Sequence, residues 1–450
     1  MHVTVELLLM VARGELPPEA LAEIAEEHVR EVCPPCRREW EAASDPGEAR
    51  RPGRVPHAPH PPLPDLAADD HAATLASQPE CRRRLSAIRR ERRRASRALD
   101  ALLALPPEEW PARVAASLGA FHTRAFAELL LHESRERVRA EPALAGRLAE
   151  LVPEVLRRLP TTAESWPLAL AVRAEAHRAN ALRVAGDLPA ADRAFTALRQ
   201  RIADRAPREP AALGEIASLE ASLRLDERRY HDAEELLGRA LLLHRQAGDE
   251  KALRRTQVQL GMVLRGQGCP EEALVQLREG LRHLSPDGDE VLQVAAVNCT
   301  ALCLCDLEDY EAAQCCLNEH RALYDRPADS PPIEAAQRAT EGRIALGLGR
   351  PTKAAVDLVA SRDAFLACDR AYDAALASLY LACAYLEAGE TAELKRLAAD
   401  LVPAFRARGV SREALAALGL LARAVAEERL TRATVDQIRR RLESTRAPAG

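Results

Sequence analysis

Aromatic residues are scarce in this chain of 450 residues, since Phe, Trp and Tyr together make up only 3% of it. This scarcity argues against a β-sandwich or a β-barrel, which depend on aromatic and β-branched side chains. Ala and Leu dominate instead, and both suit the packing of helix on helix. At this length one hydrophobic core is not enough, so the sequence predicts several domains or an extended helical array.

Long apolar segments are also missing. The longest uninterrupted apolar runs, such as 7–12 and 414–422, are far shorter than the ~18–20 residues that a transmembrane helix needs. No basic segment precedes Leu7, which argues against a secretory signal. The eleven cysteines are an odd number, and several fall within helical patterns. We therefore expect reduced thiols, a cytoplasmic location and no membrane association.

Motifs of common enzymes are absent from the sequence. It contains no G-x-x-x-x-G-K-[ST] phosphate loop, no G-x-S-x-G motif and no H-E-x-x-H motif. The glycines Gly347 and Gly349 fall in a repeat turn, whereas a nucleotide-binding fingerprint follows a strand. No residue set supports catalysis, and we expect a protein that is not an enzyme.

A repeat of about forty residues runs from about residue 140 to the end of the chain. Each unit has a turn, then a characteristic residue (often Tyr or Pro), and a small or apolar marker residue three positions later. The marker residues, 40 to 42 positions apart, are Ala191, Ala233, Ala273, Ala313, Ala354 and Leu394. Such regularity is typical of a repeat architecture, which usually provides a binding surface rather than a catalytic site.

Each unit is predicted to be a hairpin of two helices. A small residue nine positions before the turn residue lets the first helix approach its neighbour closely. These small residues are Ala179, Ala221, Gly261, Ala301, Gly342 and Ala382. A larger apolar side chain four positions after the marker should fill the space between the helices. These larger residues are Phe195, Leu237, Leu277, Leu317 and Leu358. Gly at the turn ends the first helix because it accepts positive φ without a steric penalty.

The pattern resembles the tetratricopeptide repeat (TPR) over roughly two thirds of the chain, with a longer period than the usual 34 residues. The resemblance implies an all-α fold, namely a right-handed superhelix of hairpins whose first helices line the concave side. It also implies groove-facing residues at fixed offsets, which are Arg173, Asn180, Arg183, Ser222, Arg255, Arg265, Asn298 and Arg343. Asn amides can pair with a peptide backbone and Arg with carboxylates, so we expect protein or peptide partners, acidic or C-terminal peptides above all. The alternative is that these residues form solvated helix faces.

The first 43 residues contain a candidate metal site. His28, Cys33 and Cys36 form the pattern H-x4-C-x2-C, and His2 is a candidate for the fourth ligand. Imidazole and thiolate are the ligands that tetrahedral zinc prefers, and four protein ligands make a site structural rather than catalytic. A redox pair or a chance C-x2-C is the alternative interpretation.

This motif resembles the N-terminal zinc-binding domain of bacterial anti-sigma factors, where a His and a C-x2-C follow a short helix. The resemblance implies a small helical, zinc-finger-like head with structural zinc and a sigma factor as a partner. The whole layout also resembles TPR proteins that are common in soil bacteria. The expected function is thus a regulatory adaptor or scaffold. The alternative is a generic peptide-binding scaffold with a vestigial, metal-free head.

The chain divides into five predicted regions. They are the zinc-binding head (1–43), a Pro/His-rich linker with an Arg-rich helix (44–105), a degenerate leading hairpin (106–165), the repeats (166–410) and capping helices (411–446). Residues 81–99 have nine Arg against one Glu, so this segment carries +8 while the remainder carries −13. We expect a connector helix that docks on an acidic face of the array, and we regard nucleic acid as a less favoured partner.

Five cysteines cluster in the fourth repeat: Cys299, Cys303, Cys305, Cys315 and Cys316. We interpret them as small apolar packing residues, because Cys behaves as a small hydrophobe in helical cores. A second metal or redox site is the less favoured interpretation.

Overall fold

The structure is a computed structural model that describes residues 79–117, 119, 121–159, 165–282, 284, 290–324, 331–368, 370–406 and 412–443. Every regular element within these ranges is a helix, which confirms the all-α prediction. None of these helices is both long enough and apolar enough to cross a membrane. The candidate zinc ligands His2, His28, Cys33 and Cys36 lie outside the described residues.

A long basic helix begins the described part of the chain. Helix α1 (Pro79–Leu103) is followed by a 3-10 turn (Pro107–Glu109) and by α2 (Trp110–Ala116). The apolar side of α1 is buried against the first hairpin and consists of Ala95, Ala98, Leu99 and Leu102. The arginines between residues 89 and 97 are exposed. The contact is mainly apolar, with one hydrogen bond of 3.1 Å from the Ala125 N–H to the Glu91 carboxylate. Docking of the arginines on an acidic face stays a prediction.

Eight helical hairpins follow in the described residues, each joining a first helix to a second. They are α3 (Arg124–Arg137) with α4 (Pro142–Arg157), α5 (Trp166–Val184) with α6 (Leu188–Asp204), α7 (Pro210–Asp226) with α8 (Tyr230–Ala247), α9 (Glu250–Gly266) with α10 (Pro270–Arg282), α11 (Glu290–Asp306) with α12 (Tyr310–Glu319) and the short α13 (Arg321–Tyr324), α14 (Pro331–Gly347) with α15 (Pro351–Ala367), α16 (Ala371–Ala388) with α17 (Thr391–Arg406), and α18 (Arg412–Ala426) with α19 (Arg432–Glu443).

The hairpins stack into a superhelix. Consecutive helices contact each other along the chain, and from α3 to α16 the first helices of neighbouring hairpins also contact each other. The first helices therefore form an inner layer and the second helices an outer layer, as in other helical repeat arrays. Because each hairpin touches mainly its neighbours, stability and curvature are set by the interface between one hairpin and the next.

The turn after the first helix has the same left-handed conformation in seven hairpins. Its residue at positive φ, between 56° and 91°, is Gly186, Arg228, Gly268, Glu308, Gly349, Gly389 or Glu428. The next N–H bonds to the carbonyl five residues back, as from Asp187 to Leu182 at 3.0 Å, which is the Schellman closure of a helix. The six turns that the sequence predicts do not include the turn at Glu428. Helices α18 and α19 are thus a further repeat.

The two helices of a hairpin interlock through the predicted pairs of small and large residues. A Cβ added to Gly261 would lie 2.6 Å from Leu277 Cγ, and one added to Gly342 would lie 2.7 Å from Leu358 Cγ. Each large residue thus fills the space over a residue with little or no side chain. The Ala markers are completely buried, and they are Ala191, Ala233, Ala273, Ala313 and Ala354.

Two hairpins that are far apart in sequence also meet. The Arg228 guanidinium lies 3.3 Å from the centroid of the Tyr372 ring, which joins the turn after α7 to the start of α16. Nearby, Asp373 and, more weakly, Asp226 raise the pKa of Arg370. The superhelix therefore returns close to itself between the hairpin that begins with α7 and the hairpin that begins with α16.

Candidate functional site

The concave side of the superhelix forms a groove with a volume of about 2060 Å³. Its walls come mainly from the first helices α3, α5, α7 and α9, with the start of α11 and the ends of α4, α6 and α8. Pockets for small molecules usually measure about 300–1,000 Å³. The groove is therefore large enough for an extended chain segment.

The groove carries charge of the opposite sign to the protein as a whole. Its described lining includes eleven Arg and Lys residues against six Asp and Glu, whereas the whole chain has a net charge of −5. Apolar side chains lie between the charged ones, among them Val138, Leu156, Trp166, Leu168, Leu219 and Leu292. This mixture of apolar surface and cationic donors is typical of a surface that binds an anionic polymer segment.

Five of the eight residues predicted to face the groove line it in the structure: Arg173, Asn180, Arg183, Ser222 and Arg255. Whether they contact a partner stays a prediction. Their positions follow from the repeat, because the same offset in successive hairpins lies on the same concave side of the first helices.

The groove contains a partly buried ion pair between successive first helices. Arg173 on α5 donates to Glu215 on α7, and His177 Nε2 lies 3.0 Å from the other carboxylate oxygen of Glu215. Burial raises the pKa of Glu215, but Arg173 and His177 outweigh it and hold that pKa well below its ordinary value. Glu215 is therefore a carboxylate at neutral pH, and it neutralises Arg173.

Three further hydrogen bonds order the groove wall. Arg183 donates through Nε to Asn180 Oδ1 at 2.9 Å and through a terminal nitrogen to Asp226 Oδ2 at 2.6 Å. Ser222 Oγ accepts a hydrogen bond of 3.0 Å from the Gln259 side chain. These contacts hold the polar side chains in fixed positions, which lowers the entropic cost of binding a ligand.

The other three predicted residues, Arg265, Asn298 and Arg343, are not part of this groove lining. Asp306 lies between two of them, 2.8 Å from Arg265 Nε and 2.7 Å from a terminal nitrogen of Arg343. Burial raises the pKa of Asp306, but Arg265 and Arg343 outweigh it and the pKa is lowered. The ion cluster links α9, α11 and α14, so the structure gives these two arginines a role in holding neighbouring hairpins together.

Several groove residues were not found by sequence reasoning. Arg139 lies in the turn after α3, outside the repeat offsets, and half-buried Trp166 begins α5. His244 is 2% exposed, its Nδ1 has no hydrogen-bond partner, and its pKa is lowered by burial despite Asp249 and Glu215. Gln259 lies in α9 eleven positions before the turn residue Pro270, an offset at which no groove-facing residue is predicted.

The cysteines of the fourth repeat fall into two groups. Cys299, Cys303 and Cys305 are buried in the hydrophobic cluster around α11, as expected of small apolar residues. Cys316 packs partly buried against that cluster, whereas Cys315 is exposed and has no packing role. Within the described ranges, no group of three or more His, Cys, Asp or Glu side chains could hold a metal ion.

The fold and the groove define a superhelical protein of TPR-like helical hairpins. No protein-family model matches the sequence, and no curated protein matches it either. Among solved structures, it is similar to a Rap protein complexed with Competence and Sporulation Factor, with a TM-score of 0.56 and 13% identity. That match covers 69% of this chain and 85% of the Rap chain.

Two structures of NprR also match. NprR in complex with its cognate peptide NprX has a TM-score of 0.49 and 12% identity, covering 72% of this chain and 95% of NprR. The apo form of the quorum sensor NprR from B. thuringiensis has a TM-score of 0.43 and 15% identity, covering 74% and 97%. At such identities, the similarity to the Rap protein concerns the fold alone.

Proposed function

We propose that this protein is a regulatory adaptor, without enzymatic activity, that binds a peptide or a protein segment in its concave groove. The observation that carries the proposal is the groove itself, which is large, lined by apolar and cationic side chains, and ordered by hydrogen bonds among its own residues. The Rap protein of similar fold was solved in complex with a factor, which supports a binding role for this architecture. A generic peptide-binding scaffold is the alternative.

The groove is tested with a pair of Trp substitutions. Ser222→Trp places a large side chain on the groove wall. Gly238→Trp is the control, because Gly238 is exposed on α8 and a Cβ added to it would have no neighbouring atom within 4 Å. Peptides selected from a random phage-displayed library on the full chain should bind the wild type and Gly238→Trp equally. They should bind Ser222→Trp at least about tenfold more weakly, a loss of about 1.4 kcal/mol. Equal binding to both variants would refute the proposal.

We also propose that residues 1–43 form a zinc-stabilised head that engages a sigma factor. The support is the ligand chemistry of the sequence: His28, Cys33 and Cys36, with His2 as the fourth ligand. Elemental analysis of the reduced full chain should find about one zinc per molecule. The double variant Cys33→Ser, Cys36→Ser should lose it. A zinc-free wild type would count against the metal head and leave the groove proposal intact.

A further inference from the structure

We propose that the exposed side of α1 is a docking surface for double-stranded DNA, which it binds through the phosphate backbones and without regard to base sequence. This surface, the arginine face, consists of six exposed side chains within nine residues: Arg89, Arg90, Arg92, Arg93, Arg94 and Arg97. It lies outside the groove lining and is independent of the proposed peptide binding.

The packing of α1 fixes which of its sides faces solvent. Leu99 and Leu102 are buried in the apolar cluster that α1 shares with α3. With 3.6 residues per turn, the six arginines span about 200° of the helix circumference, centred opposite these buried side chains. Arg89, Arg93 and Arg97 form the central row, with about 6 Å of helix axis between neighbours.

The arginine face is not neutralised within the described part of the chain. None of its six guanidinium groups is paired there with a carboxylate, whereas on the adjoining α3 Arg124 lies 2.7 Å from Glu128. The one acidic residue between the first and the last of these arginines is Glu91, whose carboxylate accepts the Ala125 N–H at 3.1 Å. Like charges held together cost free energy, which a polyanion along the helix would offset.

The density of charge on the arginine face matches that of a nucleic acid duplex. Residues 89–97 rise about 12 Å along the helix axis. Double-stranded DNA carries one charge per about 1.7 Å, so about seven phosphates lie along the same length. Every cation of α1 is an arginine, and guanidinium groups pair with phosphate oxygens through two parallel N–H donors.

The side chains among the arginines favour nucleic acid over a protein or a membrane. Protein interfaces are anchored by aromatic and other large side chains, whereas the exposed side of α1 adds only Ser86, Ala87 and Ser96 to the arginines. A helix that lies on a membrane inserts its apolar side, and that of α1 is buried against the first hairpin. Charge pattern alone favours an acidic face of the array as the partner, but the exposure of all six arginines favours an external polyanion.

The width of the arginine face favours a B-form duplex. A helix with its side chains measures about 10–12 Å across, and the major groove of B-DNA is about 12 Å wide with a phosphate backbone on each rim. Arg92 and Arg94 lie at opposite edges of the face, one toward each rim. The major groove of double-stranded RNA is deep and narrow. Single strands are usually bound by aromatic stacking, and the described side chains of this face include no aromatic residue.

The experiment measures binding of the full chain to a fluorescein-labelled DNA duplex of mixed sequence by fluorescence anisotropy, between about 50 and 200 mM salt. The triple variant Arg89→Gln, Arg93→Gln, Arg97→Gln should bind at least about tenfold more weakly than the wild type at about 50 mM salt. Its slope of log affinity against log salt should be shallower by about 2–3, because each lost phosphate contact removes about 0.9. Replacing the same three residues by Lys keeps the charge and should retain most of the affinity.

The matched control removes the same charge from exposed sites on the second helices α6, α8 and α10. It is the triple variant Arg193→Gln, Arg239→Gln, Arg278→Gln, which should bind the duplex within about threefold of the wild type. Circular dichroism should show equal helix content in all variants, because every substituted side chain is exposed.

The inference is overturned if the wild type does not bind the duplex at about 50 mM salt, or if the two Gln triple variants bind it equally. Equal affinity for duplex RNA, or for oligo-glutamate of the same charge, would also overturn it, the latter in favour of an acidic protein partner. Ser222→Trp should bind the duplex as the wild type does. A negative result with DNA therefore leaves the peptide-binding groove standing.

Discussion

The interlock of Gly261 and Leu277 is the most direct test of how the hairpins are built. A Cβ on Gly261 would lie 2.6 Å from Leu277 Cγ, 2.9 Å from Leu277 Cδ2 and 3.1 Å from the Ala273 carbonyl oxygen. Gly261→Ala should therefore destabilise the protein by about 1–2 kcal/mol. Overpacking costs about 1–3 kcal/mol, and the better helix propensity of Ala offsets up to about 1 kcal/mol of it.

The reciprocal change at Leu277 allows a double-mutant cycle. Leu277 is completely buried, so Leu277→Ala should cost about 2–5 kcal/mol. In the double variant the two closest atoms of Leu277 are gone, while the backbone oxygen of Ala273 remains. The double variant should therefore be more stable than the sum of the two single effects by about 1–2 kcal/mol, a usual coupling for residues in contact.

Gly238→Ala is the matched control, because this helical glycine on α8 is exposed and has no neighbouring atom within 4 Å. It should stabilise the protein by up to about 1 kcal/mol. Urea unfolding followed by circular dichroism measures the totals. Hydrogen exchange of α9 and α10 localises the effect, since repeat arrays need not unfold in two states. Close packing of Gly261 against Leu277 is refuted if Gly261→Ala is as stable as Gly238→Ala, or if the single effects simply add.

Three further changes test the turn and the ion pairs. Glu308→Gly should increase the free energy of unfolding by up to about 1 kcal/mol and so raise the urea midpoint, because Glu308 holds φ at 62°, which only Gly adopts without penalty. An unchanged midpoint would show no strain there. Asp306→Asn should cost about 1–2 kcal/mol, since it breaks two half-buried ion pairs, and wild-type stability would mean that they contribute nothing. The pKa of Glu215 is depressed in the folded state, so its ionised carboxylate stabilises the fold fully above about pH 5. This stabilisation is lost as the pH falls below about 4. Over that range the wild-type urea midpoint should drop more than that of Glu215→Gln, and parallel curves would contradict the assigned pKa.

Much of the fold could be predicted because the repeat pattern reflects contacts between the two helices of each hairpin. The Ala markers, the small residues opposite them and the large residues such as Leu277 all act between two helices joined by one short turn. Such contacts depend on spacing along the chain, which the sequence shows directly. The seventh turn escaped prediction because Glu428 holds the left-handed position that Gly usually takes, and Leu430 follows in place of an aromatic residue.

The groove could be predicted only in part. The repeat offset predicted Arg173 and Arg183 on the concave side, where both line the groove, because that side follows from helix periodicity. It could not show that Asp306 engages Arg265 and Arg343, since that requires the lateral distance between three helices. The position of Asp306 along α11 decides whether Arg265 and Arg343 are available to a ligand or hold two hairpins together.

Taken alone, the sequence determined a helical repeat, its period and the residues that lock each hairpin, because these depend on contacts between neighbours along the chain. Tertiary structure decided which side chains line the groove together, such as Arg139 and Arg255, and that Arg228 reaches Tyr372. Small rotations between hairpins add up along the superhelix. A position far along the chain is therefore set by the sum of all the interfaces before it, and no single repeat contains that information.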